Sequence, residues 1–335
     1  MTLWQAVMAF VAGAAVLTVA GTRLARAGDE LAERTGLGRL VIGMLLSALA
    51  TTLPELVTDV SAASAGSPDL AVGDLFGSSM ANMAILALID LTHRGKVWLN
   101  VELGHARVAS VAIGITALAS MALLTPRGGA IGWVGVDTLL IAGAYIAAVA
   151  WIRRSPLGRA GEAQVLPVPV GFTRGDRGPL APTLIRLGVA TALVLASAPV
   201  VALAGRDIAD STGIGETFVG TVLLAISTSL PELVTSIAAV RIGAHDLAVG
   251  NLFGSNALNM ALLVFVDGAY RPGPLLAAVD PAQAVAAVGA ILLMGLALAA
   301  IVHGAETRIR RLEPDAIVLL LAYCGALFAV WSVHA

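Results

Sequence analysis

Charge is scarce in this chain. Of its 335 residues only 13% are Asp, Glu, Lys or Arg, aromatic residues make up 4%, and there is a single cysteine, Cys324. A soluble domain carries about a quarter charged residues. That shortage, beside 58% apolar residues, excludes a water-soluble fold and predicts an integral membrane protein. One cysteine within an apolar segment excludes a disulfide framework and reads as a small core residue. The histidines, His93, His105, His245, His303 and His334, fall near the ends of apolar runs without ligand spacing, which disfavours zinc or copper. A net charge of −2 gives no attraction for a nucleic acid. Metalloprotease, phosphate-loop and nucleophile-elbow motifs are missing, as is any long acidic insert of the kind a calcium-sensing domain would need. The chain is therefore read as no enzyme, without cofactor or obligate protein partner. Its expected partners are the lipid bilayer and small cations.

What the chain does have is long apolar runs. Crossing about 30 Å of hydrocarbon takes about 20 helical residues. Runs of that size lie near 3–22, 40–64, 69–91, 106–125 and 131–152, and again near 183–205, 217–241, 247–268, 281–303 and 314–333. These predict an all-α membrane protein of ten transmembrane helices, as a first five-helix repeat over 1–152 and a second over 183–335. The segment 153–182, with Arg153, Arg154, Arg159, Arg174, Arg177 and several prolines, reads as a cytoplasmic linker. The first run has neither a basic leader nor a small-residue cleavage site, so it reads as a retained span. Basic residues concentrate in alternate loops, leaving only Arg127, Arg206 and Arg271 on the other side. By the positive-inside rule both termini are extracytoplasmic. An odd number of spans per half makes the second half an inverted copy of the first.

The most unusual stretch is Thr228-Ser229-Leu230-Pro231-Glu232, an acid beside a proline in a segment otherwise suited to lipid. It occurs twice. Thr51-Thr52-Leu53-Pro54-Glu55 precedes it at an offset of 177 residues, the distance from Glu55 to Glu232, and Asp69/Asp246, Gly73/Gly250, Ser78/Ser255, Asn82/Asn259 and Asp90/Asp267 keep that spacing. About half the positions from Gly43 to Asp90 are identical to their mates, which marks an internal duplication.

Each proline lacks an amide hydrogen and frees a carbonyl one turn back, at Ala50 and Ser227, predicting helices broken near the midplane. The glycines of Gly73-Asp74-Leu75-Phe76-Gly77-Ser78 and Gly250-Asn251-Leu252-Phe253-Gly254-Ser255 allow close helix approach. Ser78 and Asn82, like Ser255 and Asn259, share a helix face. Two carboxylates, two amides, hydroxyls and freed carbonyls form an all-oxygen set suited to a hard cation such as Ca²⁺ or Na⁺. The two glutamates balance one divalent ion, and could instead hold sodium ions or protons. Mutually exclusive occupancy of one site is the basis of exchange.

These paired elements, a G-T-S-x-P-E-like segment followed by G-N-x-x-G-S-N, resemble the two alpha-repeats of the sodium/calcium exchanger family, a branch of the calcium/cation antiporters, in its prokaryotic form. The resemblance covers 40–91 and 217–268 and the ten-span layout. It implies a Ca²⁺/Na⁺ antiporter of the cell's plasma membrane, with proton coupling as the alternative. It implies cation ligands at Glu55, Thr51, Thr52, Ser78 and Asn82 and at Glu232, Thr228, Ser229, Ser255 and Asn259, with backbone carbonyls from Ala48 and Ala225. It further implies that the first and sixth spans slide across a rigid core. The chain departs from the pattern at Ala50 and Ser227 in place of glycine, at Asp74 and Ser79 in place of asparagine, and at Asn259, an aspartate in some members.

The copies differ in charge. Asp59 and Asp74 are acids where their mates are Ser236 and Asn251, and the expected topology makes the two acids an extracellular vestibule. The plainer reading has each hydrogen-bonding a neighbouring helix. Asp90 and Asp267 fall at span ends and read as interfacial, while Asp280 and Asp315 read as helix N-terminal acids. Two rival functions are a passive cation channel, which the duplicated broken helices disfavour, and an intramembrane aspartyl protease. For the latter, Gly73-Asp74 matches half of a Gly-x-Gly-Asp element, but position 71 is alanine and the second copy has Asn251.

Overall fold

A computed structural model describes residues 1–35, 41–92, 105–125, 129–154, 180–241, 243, 245–303 and 314–334; the side chains of 29, 32–51, 153 and 334 lie outside the described part. Every apolar run marked in the sequence holds helix. The helices are α1 (Leu3–Thr35), α2 (Val41–Ser64), α3 (Pro68–Thr92), α4 (His105–Leu124), α5 (Val136–Arg154), α6 (Ala181–Thr212), α7 (Glu216–Val219), α8 (Ala225–Thr228), α9 (Leu230–Arg241), α10 (His245–Ala269), α11 (Leu275–Ala278), α12 (Gln283–His303) and α13 (Pro314–His334). A π turn, Gly220–Leu224, joins α7 to α8. Among the described residues seven helices are long and apolar enough to cross a membrane, or eight if Glu216–Thr228 and Leu230–Arg241, bent by 42°, form one span. The chain is a multi-pass integral membrane protein. Most of the expected linker lies outside the described residues. The run near 131–152 begins with a small hairpin, β1 (Ala130–Ile131) paired antiparallel with β2 (Val134–Gly135), before α5 starts.

In a bilayer, tight packing and satisfied polar groups hold helices together, because lipid is as apolar as leucine. The centre is α3, buried over nearly its whole length with small residues turned to its neighbours. Gly73 and Gly77 bring its backbone against α7 and the π turn: a Cβ on Gly73 would lie 3.0 Å from the Thr217 carbonyl, and one on Gly77 would collide with the backbone of Thr221. Gly220 returns the contact against Leu70.

Helices α1 and α6 lie antiparallel. Near the end of α1, the buried Glu30 accepts from Thr183 Oγ1 at 2.7 Å and pairs with Arg186 at 3.0 Å, both at the start of α6. At the other end the Met1 amino group meets Asp207 at 2.8 Å. Glu30 and Asp207 are mates at the 177-residue offset. A second pair of contacts follows the same offset. Asp69 accepts from the Asp280 amide at 2.7 Å while its carbonyl accepts from Gln283 at 2.6 Å, and its mate Asp246 lies 3.2 Å from His105.

Several sequence expectations change. Cys324 is exposed, not core, because α13 is peripheral and an outward face in a membrane protein meets lipid. Asp90 and Asp267 are fully buried, not interfacial. Asp267 is a hub: it accepts from the Gly135 amide at 2.8 Å, the Thr138 hydroxyl at 2.5 Å and the Leu275 amide at 2.7 Å, fixing the hairpin and α11. Trp133 adds a bond to the Gly268 carbonyl at 3.0 Å and carries Arg271 over its ring at 4.1 Å. Asp280 caps the start of α12 as expected, with the Ala282 amide at 2.8 Å.

Candidate ion-binding site

Broken helices were expected in both copies, and only the second is broken. Glu216–Arg241 divides into α7, the π turn, α8 and α9, with Ser229 between the last two at φ −83°, ψ 0°. Its mate α2 runs as one 24-residue helix with Pro54 inside. A sequence reason is at hand: Thr221 and Val222 are β-branched where the first copy has Met44 and Leu45, and branching at Cβ disfavours a regular helix. The close approach of α3 through Gly77 supplies a tertiary one. A π turn commonly marks a functional segment.

The two Pro-Glu elements come to one level. A Cβ built on Gly21 of α1 would lie 3.0 Å from Pro54 Cγ and 2.8 Å from Pro231 Cγ, so both prolines press on the same glycine. Next to them Glu55 and Glu232 are both wholly buried. Glu55, from the first copy, faces the side chains of Ser229 and Asn259 from the second, together with Ser78 of α3. The Asn259 amide lies 3.4 Å from Glu55 Oε1; turned over, its nitrogen reaches Oε2 at 3.3 Å and the Ser255 carbonyl at 3.2 Å. Glu232 occupies the first turn of α9, where the helix dipole favours a carboxylate.

The neutral oxygens fall into two groups. Thr228 Oγ1 is engaged: Asp74 Oδ1 lies at 3.0 Å, Ser78 Oγ at 3.3 Å and the Leu224 carbonyl at 3.0 Å. The Ala225 carbonyl accepts from the Ser229 amide at 3.1 Å and lies 3.4 Å from Thr228 Oγ1, so it is not a free carbonyl here. By contrast Ser255 Oγ and Asn82 Oδ1 are buried without a hydrogen-bond partner, and Ser229 Oγ has only Glu55 to face. Such atoms are costly to bury unless something else satisfies them. Thr52 is buried as well, whereas the side chains of Thr51 and Ala48 lie outside the described residues.

Asn256, left off the expected ligand set, holds Asn82 in place. Asn82 Nδ2 donates to Asn256 Oδ1 at 2.8 Å, and Asn256 Nδ2 donates to the Ser79 carbonyl at 3.2 Å, leaving Asn82 Oδ1 as the open acceptor. The signal was present in the sequence as the one intact G-S-N, at Ser255-Asn256. Asp59 and Asp74 do not line an exposed mouth. Both are fully buried, because α2 and α3 turn these positions inward, and Asp74 shares hydroxyl donors with the site. Among the described residues no three His, Cys, Asp or Glu side chains are arranged to hold a metal. The donors are spread carboxylates filled in by amides and hydroxyls, a set suited to hard cations.

The sodium/calcium exchanger protein model matches residues 5–152 and 183–332, both halves of the chain. The protein named as antiporter CaxA in Alkalimonas amylolytica is 29% identical over 331 residues, covering 96% of this chain and 97% of that one. Among solved structures, the H⁺/Ca²⁺ exchanger CAX superimposes with a TM-score of 0.72 at 14% identity, covering 98% of this chain and 85% of the other. The sodium-calcium exchanger NCX_Mj, soaked with Na⁺ and Sr²⁺, does so with a TM-score of 0.60 at 20% identity, over 98% and 99%. At those identities the structural likeness speaks to the fold.

Proposed function

The chain belongs to the sodium/calcium exchanger protein family, a family of cation antiporters and not of enzymes, and from that premise we propose that it exchanges Ca²⁺ for Na⁺ at one buried all-oxygen site. The observation that carries this reading is the interleaving of the copies: Glu55 against Ser229 and Asn259, with both prolines on Gly21. Glu55 and Glu232 balance the charge of one Ca²⁺. Ser229, Ser255 and Asn82 Oδ1 supply neutral oxygens, with Thr51, Thr52, Ser78, Thr228, Asn259 and the carbonyls of Ala48 and Ala225 completing the set in one or another state of the cycle.

Ten spans, as two inverted five-helix repeats joined by the cytoplasmic linker, give the site two related half-environments, one facing each side. The antiparallel lie of α1 on α6, with offset mates at opposite ends, supports that arrangement. Sliding of this pair past the buried α3 and α10 is the alternating-access step. The plasma membrane, with both termini outside, is the location that fits the charge distribution.

Neutral hydroxyl and amide oxygens left open around the carboxylates favour Na⁺ as the counter-ion, with H⁺ the second reading. Vesicle uptake of Ca²⁺ driven in turn by an outward Na⁺ gradient and by a pH gradient separates the two. Glu55→Gln and Glu232→Gln each abolish uptake in either case. Uptake that persists in both variants, or that runs with no counter-ion gradient, overturns the exchange site.

A further inference from the structure

Two acids of the first copy lie beyond the ligand set. Asp59 stands one turn after Glu55 on α2, and Asp74 one turn before Ser78 on α3; both are fully buried. Their carboxyl groups are within hydrogen-bond reach of each other, and Glu55 is near enough to act on Asp59 through its charge. Asp74 Oδ1 accepts from Thr228 at 3.0 Å and from Ser78 at 3.3 Å. The Ser78 hydroxyl, which also faces Glu55, therefore links the aspartate pair to that carboxylate. The other three carboxylate oxygens, both of Asp59 and Oδ2 of Asp74, accept from no hydroxyl, amide or backbone N–H and meet only the partner carboxyl group. Among the described residues no arginine, lysine or histidine forms an ion pair with either.

Two adjacent carboxylates at membrane depth without a basic partner are strongly unfavourable, and a cation held between them would relieve that cost. We propose that Asp59 and Asp74, with the hydroxyls of Ser78 and Thr228, form a second binding site for a hard monovalent cation such as Na⁺, continuous with the Glu55–Glu232 site. The inference rests on the reading of that site as an ion pathway. It is one-sided: the mates Ser236 and Asn251 provide no carboxylates, so the molecule carries the extra site in its first half alone. The consequence is one more cation bound per transporter than the duplicated ligand set provides.

The test is equilibrium binding of radiolabelled Na⁺ to purified, detergent-solubilised protein, counting ions per chain. Compared are the wild type, Asp59→Ser, Asp74→Asn and the double variant, the first two introducing the residues that the second copy uses. Elution as a single species and an unchanged helical circular dichroism spectrum check folding. The near-isosteric Asp74→Asn carries the test should Asp59→Ser or the double variant fail that check. Asp74→Asn is expected to lose one bound Na⁺ equivalent, or to raise the half-saturating Na⁺ concentration at least tenfold. An unchanged count and affinity overturns the second site, and an aspartate pair that merely shares a proton gives that result. Glu55→Gln is measured in parallel. If it too leaves Na⁺ and Ca²⁺ binding intact, the main site has failed; if Glu55→Gln loses binding while Asp74→Asn does not, the second site alone has failed.

Discussion

The two copies of the duplicated segment share about half their residues yet solve the same packing problem differently. The first keeps α2 as one helix through Pro54 and places Asp59 and Asp74 inside. The second breaks its helix at a π turn and at Ser229, and has neutral residues at those positions. Where the first copy has Ser79, the second has Asn256, which reaches across to position Asn82 of the first. Duplication supplied two equivalent sets of donors; divergence gave one half two additional acids and the other the irregular backbone. The lesson is that a repeat's sequence symmetry predicts which residues meet, and departures from it predict where the two sides of the site behave differently.

Substitutions at mated positions break or sharpen that contrast. The largest effect belongs to Gly77. Any side chain there collides with the Thr221 backbone, whereas a Cβ at its mate Gly254 meets nothing within 4 Å among the described residues. Gly77→Val is expected to cost about 3 kcal/mol or more, at the upper end of overpacking penalties, and to leave little folded protein. Gly254→Val is expected to be far milder. Thermal unfolding of both in detergent gives the comparison, and equal losses would contradict the one-sided packing of α3 on the π turn.

Next is Asp267. Replacing it with alanine removes the acceptor of the Gly135 and Leu275 amides, while the Thr138 hydroxyl keeps the Gly135 carbonyl at 3.0 Å. A buried donor left unsatisfied costs roughly 1–3 kcal/mol. Asp267→Ala should therefore lower the unfolding temperature clearly, and limited proteolysis should detect a loosened hairpin. A variant as protease-resistant as the wild type would deny Asp267 its role as a hub. The smallest effect is at Asn256. Asn256→Ser, which gives the second copy the first copy's residue, removes the bond that fixes Asn82. One net hydrogen bond is worth about 1 kcal/mol, or about fivefold in affinity. Calcium affinity measured by titration should weaken by that factor, and an unchanged value would show that Asn82 is positioned without it.

Much of the site was legible because its chemistry is unusual for a membrane segment. An acid next to a proline inside an apolar run is conspicuous, and the fixed offset ties each such residue to its mate. Glu55, Ser229 and Asn259 stand out on that ground and do come together. Less legible were features that depend on which helix face meets which neighbour. Burial of Asp59 and Asp74 follows from the rotation of α2 and α3, and the exposure of Cys324 from the peripheral place of α13. Asp267 looked interfacial because it ends a helix; only the folded hairpin shows what it binds.

Composition and repetition by themselves determined that this chain lies in a membrane, is duplicated, and concentrates oxygen donors at two matched elements. Those conclusions need only hydropathy, spacing and the cost of burying charge, which are properties of the residues in order. The tertiary structure alone decided that the two prolines meet at Gly21, that one copy bends while the other stays continuous, and that Asp59 and Asp74 face inward beside the site. The reason is geometric: helix rotation and close approach depend on glycines and small side chains of other segments, and periodicity along one helix does not record them.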